Sequence, residues 1–368
     1  MQNTYLSTWQ FSCMLFLTLL GNAISLAPAG GAGRDAWIAH LLGSLVGLFL
    51  IYAMLRIQKA FPGESIVKIS EICLGKWVGK IFSLMFILLL FYAVALYLFD
   101  LCILLRTIFP FLTDFVLRPL LILTAAYGIY KGTTVVGRLS ELAVPVILLF
   151  IFASFAIISS AANLNFLQPV LSDWRKLAGG AINAAGWPYA RIAVMVFFLP
   201  FVTDLKEKSH LIYIWYYIGV IIFLTQAILI LAVIGPEYVL LARFPLYAAI
   251  RSVALADFQR VELFFTLLWL VSGFIIVLVN YFAIILALKD SLNLPRIRPI
   301  ILPVGLFLVV ISLFMYTSDM EYFPIQSRIA SYLYLLGNLF YLTIILAALK
   351  LGRQTQHKTG DVSPFYHK

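Results

Sequence analysis

The chain has 368 residues, 63% of them hydrophobic and 11% charged, with a net charge of +10. A soluble globular chain carries about 45–50% apolar and about 25% charged residues, so a water-soluble domain is excluded. The charges lie between apolar runs, which assigns the positive balance to a membrane surface and not to nucleic acid.

A bilayer core about 30 Å thick takes about 20 apolar residues per helix. The apolar runs resolve into ten predicted spans: 8–29, 36–57, 77–108, 116–131, 139–161, 178–202, 209–234, 260–289, 299–317 and 327–350. None alternates with period two, so barrel strands are excluded, and helices satisfy the backbone within each segment. The sequence therefore predicts an all-α integral membrane protein with a single transmembrane domain, 1–368, made of five-helix halves at 1–161 and 162–350 and a polar tail at 351–368. The first run has no preceding lysine or arginine and is followed at once by other spans, so it reads as a span, not a cleavable leader. With the N-terminus inside, sixteen lysines and arginines fall on the inner side and nine on the outer, with Arg191 within a span. That excess predicts cytoplasmic termini at both ends.

Span one carries Gly21-Asn22-Ala23-Ile24 ahead of Pro28. Glycine lowers the cost of unwinding, and asparagine pairs with freed backbone groups. Residues 65–74 form an amphipathic stretch expected along the inner surface. Asp100 in span three binds a ligand amine, carries a proton, or sits solvated at the outer interface. Arg138 and Glu141 stand three apart at the inner end of span five, ahead of Pro145. They read as a pair on one helix face, serving an inner gate or plain helix-end packing.

Span six contains Gly186-Trp187-Pro188-Tyr189-Ala190-Arg191. Pro188 removes a helical hydrogen bond and clashes with the preceding turn, so a break is expected. Gly21 and Gly186 occupy matching places in the two halves, the pattern of an inverted-repeat transporter with a midplane site. Half-helix ends there offer amides and carbonyls to a carboxylate and an ammonium, although small residues also serve close packing. Arg191 would cost roughly 2.5–3.5 kcal/mol at mid-helix on insertion scales. It therefore faces a ligand carboxylate or pairs with Asp100. Residues 242–254 lie along the outer face or cap a pocket, and Glu262 with Arg260 reads as an interfacial pair at the start of span eight.

No metal-ligand cluster, nucleophile–base set or phosphate loop is present, so the reading is not an enzyme and assigns no catalytic residue, metal or cofactor. His40, His210, His357 and His367 are scattered, and Cys13, Cys73 and Cys102 show neither metal nor disulfide spacing.

Several short pieces follow one another in order and spacing over nearly the full length. They are Gly21-Asn22-Ala23-Ile24 with Pro28, Gly33-Arg34-Asp35-Ala36-Trp37, Phe61-Pro62, Leu74-Gly75-Lys76, and the spaced Gly132, Arg138, Glu141 and Pro145. Asn163-Leu164 with Gln168-Pro169-Val170-Leu171 follows, then Pro188-Tyr189 with Phe197-Phe198-Leu199-Pro200, and Arg260-Val261-Glu262 with Trp269. In this order and spacing the chain resembles the B subunits of bacterial spore germination receptors, a branch of the amino acid–polyamine–organocation transporter superfamily. The resemblance implies two inverted five-helix repeats with broken helices 1 and 6. It implies residence in the spore inner membrane among membrane lipids, and partners in a larger A subunit and a lipoprotein C subunit. It also implies the sensing of a small-molecule germinant, and on this reading the germinant, an amino acid, is expected to bind between spans one, three, six and eight. The contacts would come from Gly21, Asn22, Ala23, Ile24, Asp100, Trp187, Tyr189, Ala190 and Arg191, with Gly186, Pro188, Arg138, Glu141 and Glu262 in structural or gating roles. Relatives often carry proline, an aromatic, glycine and glutamate where this chain has Pro188-Tyr189-Ala190-Arg191, so a base stands in place of an acid. That departure turns the expected ligand group from an amine toward a carboxylate or another anion. Span five lacks the lysine of some proton-coupled relatives, and Ser272 is at most a remnant sodium ligand. The rival reading is a secondary amino acid transporter working by alternating access.

Overall fold

The computed structural model describes residues 5–21, 23–109, 111–242, 244–253, 261–316 and 329–359, without side-chain detail at 24–25, 107–108, 261–266 and 352–359. Its helices in chain order are α1 (Thr8–Leu20), α2 (Ala23–Leu26), α3 (Ala36–Ala60), α4 (Ile66–Leu74), α5 (Lys76–Ile108), α6 (Asp114–Lys131) and α7 (Thr133–Ser159). After these come α8 (Trp174–Gly186), α9 (Leu205–Lys208), α10 (His210–Leu241), α11 (Pro245–Val253), α12 (Val261–Ser291), α13 (Arg298–Met315) and α14 (Ser331–Thr359). Among the described residues, seven helices are individually long and apolar enough to cross a bilayer. The other predicted spans are the broken pairs α1–α2 and α8 with its following 3₁₀ helix, and α6, whose three charged residues include a buried arginine.

The element order repeats. Each half runs from a broken helix to a long helix (α3, α10), a nine-residue helix (α4, α11), and three further spans. Those last three have 33, 18 and 27 residues in the first half and 31, 18 and 29 in the second. Pro119 and Pro303 each stand at the sixth residue of α6 and α13, which pack against each other. The fold is thus two inverted five-helix repeats with broken helices 1 and 6.

Local signals account for the boundaries. Ser7 and Gln10 form a capping box on α1, and Asp173 accepts from the Arg175 and Lys176 amides at the start of α8; each satisfies amides that a helix start leaves open. Gly132, at φ 99°, turns the chain from α6 into α7, a conformation that costs glycine least. Predicted span seven ends where Gly235, at φ 76°, and Pro236 interrupt α10. The tail differs from expectation: α14 continues to Thr359, past the predicted polar boundary at 351. The two amphipathic stretches are both helices. Among their buried residues are Ile66 and Ile69 of α4 and Leu246 and Ile250 of α11, so each lays an apolar face on the bundle.

Arg118, one of the nine cations assigned to the outer side by the charge count, is not a surface charge. It is 1% exposed and pairs with Asp114 at 2.5 Å. It also donates to the Ser312 carbonyl and hydroxyl on α13 and lies over the Phe99 ring of α5. Arg106 completes the cluster on Asp114 at 3.2 Å.

Candidate ligand site at the helix breaks

The two breaks meet at the centre of the bundle. α1 ends at Gly21, whose φ of 38° and ψ of −133° leave the helical region. Its amide still bonds the Leu17 carbonyl, and its own carbonyl accepts from the Ser272 hydroxyl of α12 at 3.0 Å. α8 ends at Gly186, Trp187 is extended, and Pro188 leads into a 3₁₀ helix over Tyr189–Phe197. The glycines fit close contacts. A Cβ on Gly186 would overlap the Ser331 carbonyl of α14, and one on Gly21 would overlap Ile276 and come within 2.8 Å of an Arg191 guanidinium nitrogen.

Arg191 bridges the breaks. It is 4% exposed, reaches toward Gly21, and holds its guanidinium carbon 4.7 Å from the Tyr97 ring centroid and 5.9 Å from that of Trp187. A desolvated cation over aromatic faces is stabilised by about 2 kcal/mol or more. Asp100 lies one helical turn beyond Tyr97 on α5. Asp100 is 1% exposed, which removes the alternative of a solvated acid at the outer interface.

Among the described residues, the buried Asn183 Oδ1, Trp187 Nε1 and Ser331 Oγ near the span-six break find no hydrogen-bond partner. Asn183 sits one turn before Trp187, accepting its amide at 2.8 Å, and Ser331 abuts Gly186. Buried polar atoms without partners each cost about 1–3 kcal/mol, so unspent acceptor and donor capacity here marks a place suited to a polar ligand. Arg191 also lines, with Tyr97, Asn280, Tyr334 and Asn338, a cavity of about 10 Å³. That volume holds about one water molecule and no amino acid.

The predicted residues therefore divide. Gly21, Ala23, Asp100, Gly186, Trp187, Pro188, Ala190 and Arg191 are buried at or next to the breaks. Tyr189 is not brought to Arg191. It packs among His40, Tyr216 and Phe223 of α3 and α10, with its hydroxyl 3.4 Å from His40 Nδ1. His40 is a buried core residue stacked on Phe223. The Arg138–Glu141 pair is not formed: Arg138 is exposed, and Glu141 accepts from Gln10 of α1 at 3.3 Å. Asn22 and the side chains of Ile24 and Glu262 lie outside the described residues. Asn183, Asn280, Ser331, Tyr334 and Asn338 were missed. Each is a polar residue in an apolar span, which is itself a functional signal in a membrane protein.

Below the breaks the two halves are tied together. Leu6 and Val202 form a parallel bridge, with Leu6 donating to the Phe201 carbonyl and Thr203 to the Leu6 carbonyl. Asp204 accepts from the Thr8 amide at 2.7 Å and the Thr8 hydroxyl at 2.8 Å and pairs with Lys208 at 3.0 Å.

Comparison with known proteins agrees with this architecture. The family model described as Spore germination protein matches residues 5–321. Spore germination protein KB of Bacillus subtilis (strain 168) is 28% identical over 329 residues, 88% of each chain. Spore germination protein YndE of the same organism is 23% identical over 256 residues, 68% of this chain and 69% of that one. Among solved structures, the Eremococcus coleocola manganese transporter, in complex with an aromatic bis-isothiourea substituted compound, superposes with a TM-score of 0.59 at 12% identity. The match covers 97% of this chain and 88% of the transporter, and it establishes a shared transporter-like fold.

Proposed function

The chain belongs to the spore germination protein family, and from that premise we propose that it is the membrane subunit of a nutrient germinant receptor. It senses a small molecule bearing a carboxylate, an amino acid, at the breaks of spans one and six. The observation that carries this reading is the bridging guanidinium of Arg191, seated between Gly21, Tyr97 and Trp187. A ligand carboxylate draws that cation off its aromatic seat, while Asn183 Oδ1 and Trp187 Nε1 meet the remaining polar groups. Asp100 balances the charge or meets the ligand amine. Since the cavity beside Arg191 holds about one water, binding requires the halves to shift. A ligand biases such an equilibrium only by its differential affinity for the two arrangements. The bias passes to a larger A subunit and a lipoprotein C subunit. The halves meet near residue 161, and both termini face the cytoplasm of the spore inner membrane.

The test is germination of spores carrying Arg191→Ala or Arg191→Lys, dosed with a panel of amino acids, with receptor abundance checked by immunoblot. Arg191→Ala at normal abundance is expected to raise the half-maximal germinant concentration by about 10-fold or more, as loss of a charged contact of about 1.5–3 kcal/mol implies. Arg191→Lys, which keeps charge but not the planar fork, gives an intermediate shift. An unchanged dose response at normal abundance removes the ligand from this site.

A second reading, transport by alternating access, draws on the hydrogen-bonded closure between Leu6, Thr8 and residues 201–204. Such a closure would have to open on each cycle. Uptake of a labelled amino acid by proteoliposomes containing this chain alone would favour it; uptake requiring partner subunits, or none, favours the receptor.

A further inference from the structure

On the face that carries the N-terminal segment, a cleft of about 660 Å³ opens between the end of α3, the start of α10 and the segment 199–209. This is within the roughly 300–1,000 Å³ of small-ligand sites. Three cations line it: Arg56 and Lys59 from the last turns of α3, and Lys206 from α9. None makes an ion pair among the described residues, and all three are exposed. Two acids share the cleft. Asp204 is committed to Thr8 and Lys208, which leaves Glu207 alone against three positive charges. Tyr52, one turn before Arg56, and Tyr213 stand at the same mouth. Tyrosines favour the boundary between headgroups and acyl chains, and Leu55, Leu199 and Leu205 add apolar surface to the lining.

We propose that this cleft binds the phosphodiester headgroup of an anionic phospholipid, with Arg56, Lys59 and Lys206 on the phosphate and the tyrosines at the glycerol level. The lining favours a lipid over a soluble anion because cations, tyrosines and leucines share one cleft, a mixture that suits a charged headgroup with its attached chains. Basic clefts between spans are the recurrent seat of anionic headgroups. The cleft includes residues 202–204, which hold the N-terminal segment, so headgroup occupancy bears on the closure between the halves. The proposal does not depend on the germinant reading.

The test is native mass spectrometry of the purified full chain, titrated with phosphatidylglycerol or with phosphatidylcholine of identical acyl chains. Retention of phosphatidylglycerol over phosphatidylcholine is expected. The triple variant Arg56→Gln, Lys59→Gln, Lys206→Gln should weaken it by about 100-fold, at about 1 kcal/mol per cation. Lys206→Gln alone should weaken it by about fivefold, which keeps the proposal testable if the triple variant does not fold. Neutralising Lys68, Lys76 and Lys80 elsewhere on the same face should leave retention unchanged. Equal retention of both lipids, equal loss in both sets of variants, or full displacement by glycerol phosphate without acyl chains would each overturn the assignment. So would binding of a polyglutamate peptide in place of the lipid.

Discussion

At the scale of single residues, the breaks are maintained by the absence of side chains. Gly21 combines a positive φ with a neighbour, Ile276, where a Cβ would have to go, and Gly186 lies against backbone, the Ser331 carbonyl, that cannot rotate away. Overpacking a closely filled site costs about 1–3 kcal/mol. Gly21→Ala and Gly186→Ala should therefore each lower the thermal unfolding midpoint of the purified chain. Gly179→Ala in α8, where a Cβ meets nothing within 4 Å, should hold or raise it, because helix propensity adds up to about 1 kcal/mol of stability. Equal behaviour of all three would mean the breaks are not closely packed. A bulky change such as Gly186→Leu reports on folding before it reports on a ligand, which is why Arg191 is the better probe of sensing.

At the scale of elements, hydropathy locates the spans well because length and apolarity alone decide whether a helix crosses a bilayer. It does not give their rotation. α5 is apolar on all sides, and such a helix carries no facing signal. Nothing in the sequence told that Tyr97 meets Arg191 while Tyr189, two residues before it, turns to His40. Arg118 was misjudged for a related reason: near a span end, a surface charge and a buried pair read alike. The structure uses it to tie α6 to α13 through Ser312, whose hydroxyl reaches on to the Ala95 carbonyl of α5 at 3.1 Å. Breaking a buried pair by removing one partner costs roughly 3–5 kcal/mol, whereas an exposed pair is worth about 0–1 kcal/mol. Asp114→Asn should destabilise the chain by about 3 kcal/mol or more, against under about 1 kcal/mol for Lys68→Gln, whose pair with Glu64 is exposed. Comparable melting shifts in the two variants would refute a structural role for the Arg118 cluster.

At the scale of the molecule, the halves touch through a hydrogen-bonded closure whose ionisable member is Asp204. Partial burial works against its charge. The Thr8 amide and hydroxyl, with Lys208, outweigh that and hold its carboxyl below the usual range. A group depressed in the folded state contributes stability that is present above its unfolded value, about 3.9, and is lost as pH falls through the folded value. The Thr8 amide should stay protected from hydrogen exchange at neutral pH. It should lose protection as pH falls below about 4, and at neutral pH in Asp204→Ala. Protection insensitive to both changes would show that the backbone bonds of Leu6 hold the closure unaided.

The occupied centre has one more consequence. Under the germinant reading, the chain's own guanidinium is a tethered competitor for the site, present at a fixed and high effective concentration. The dose at which an outside molecule is noticed is then set less by how well that molecule fits than by how firmly Arg191 is held on Tyr97. Apparent affinity is reduced by the fraction of the population that is competent to bind. Tyr97→Leu, which removes the aromatic seat, should make the spore respond at lower doses, so the ring acts as a threshold against premature commitment.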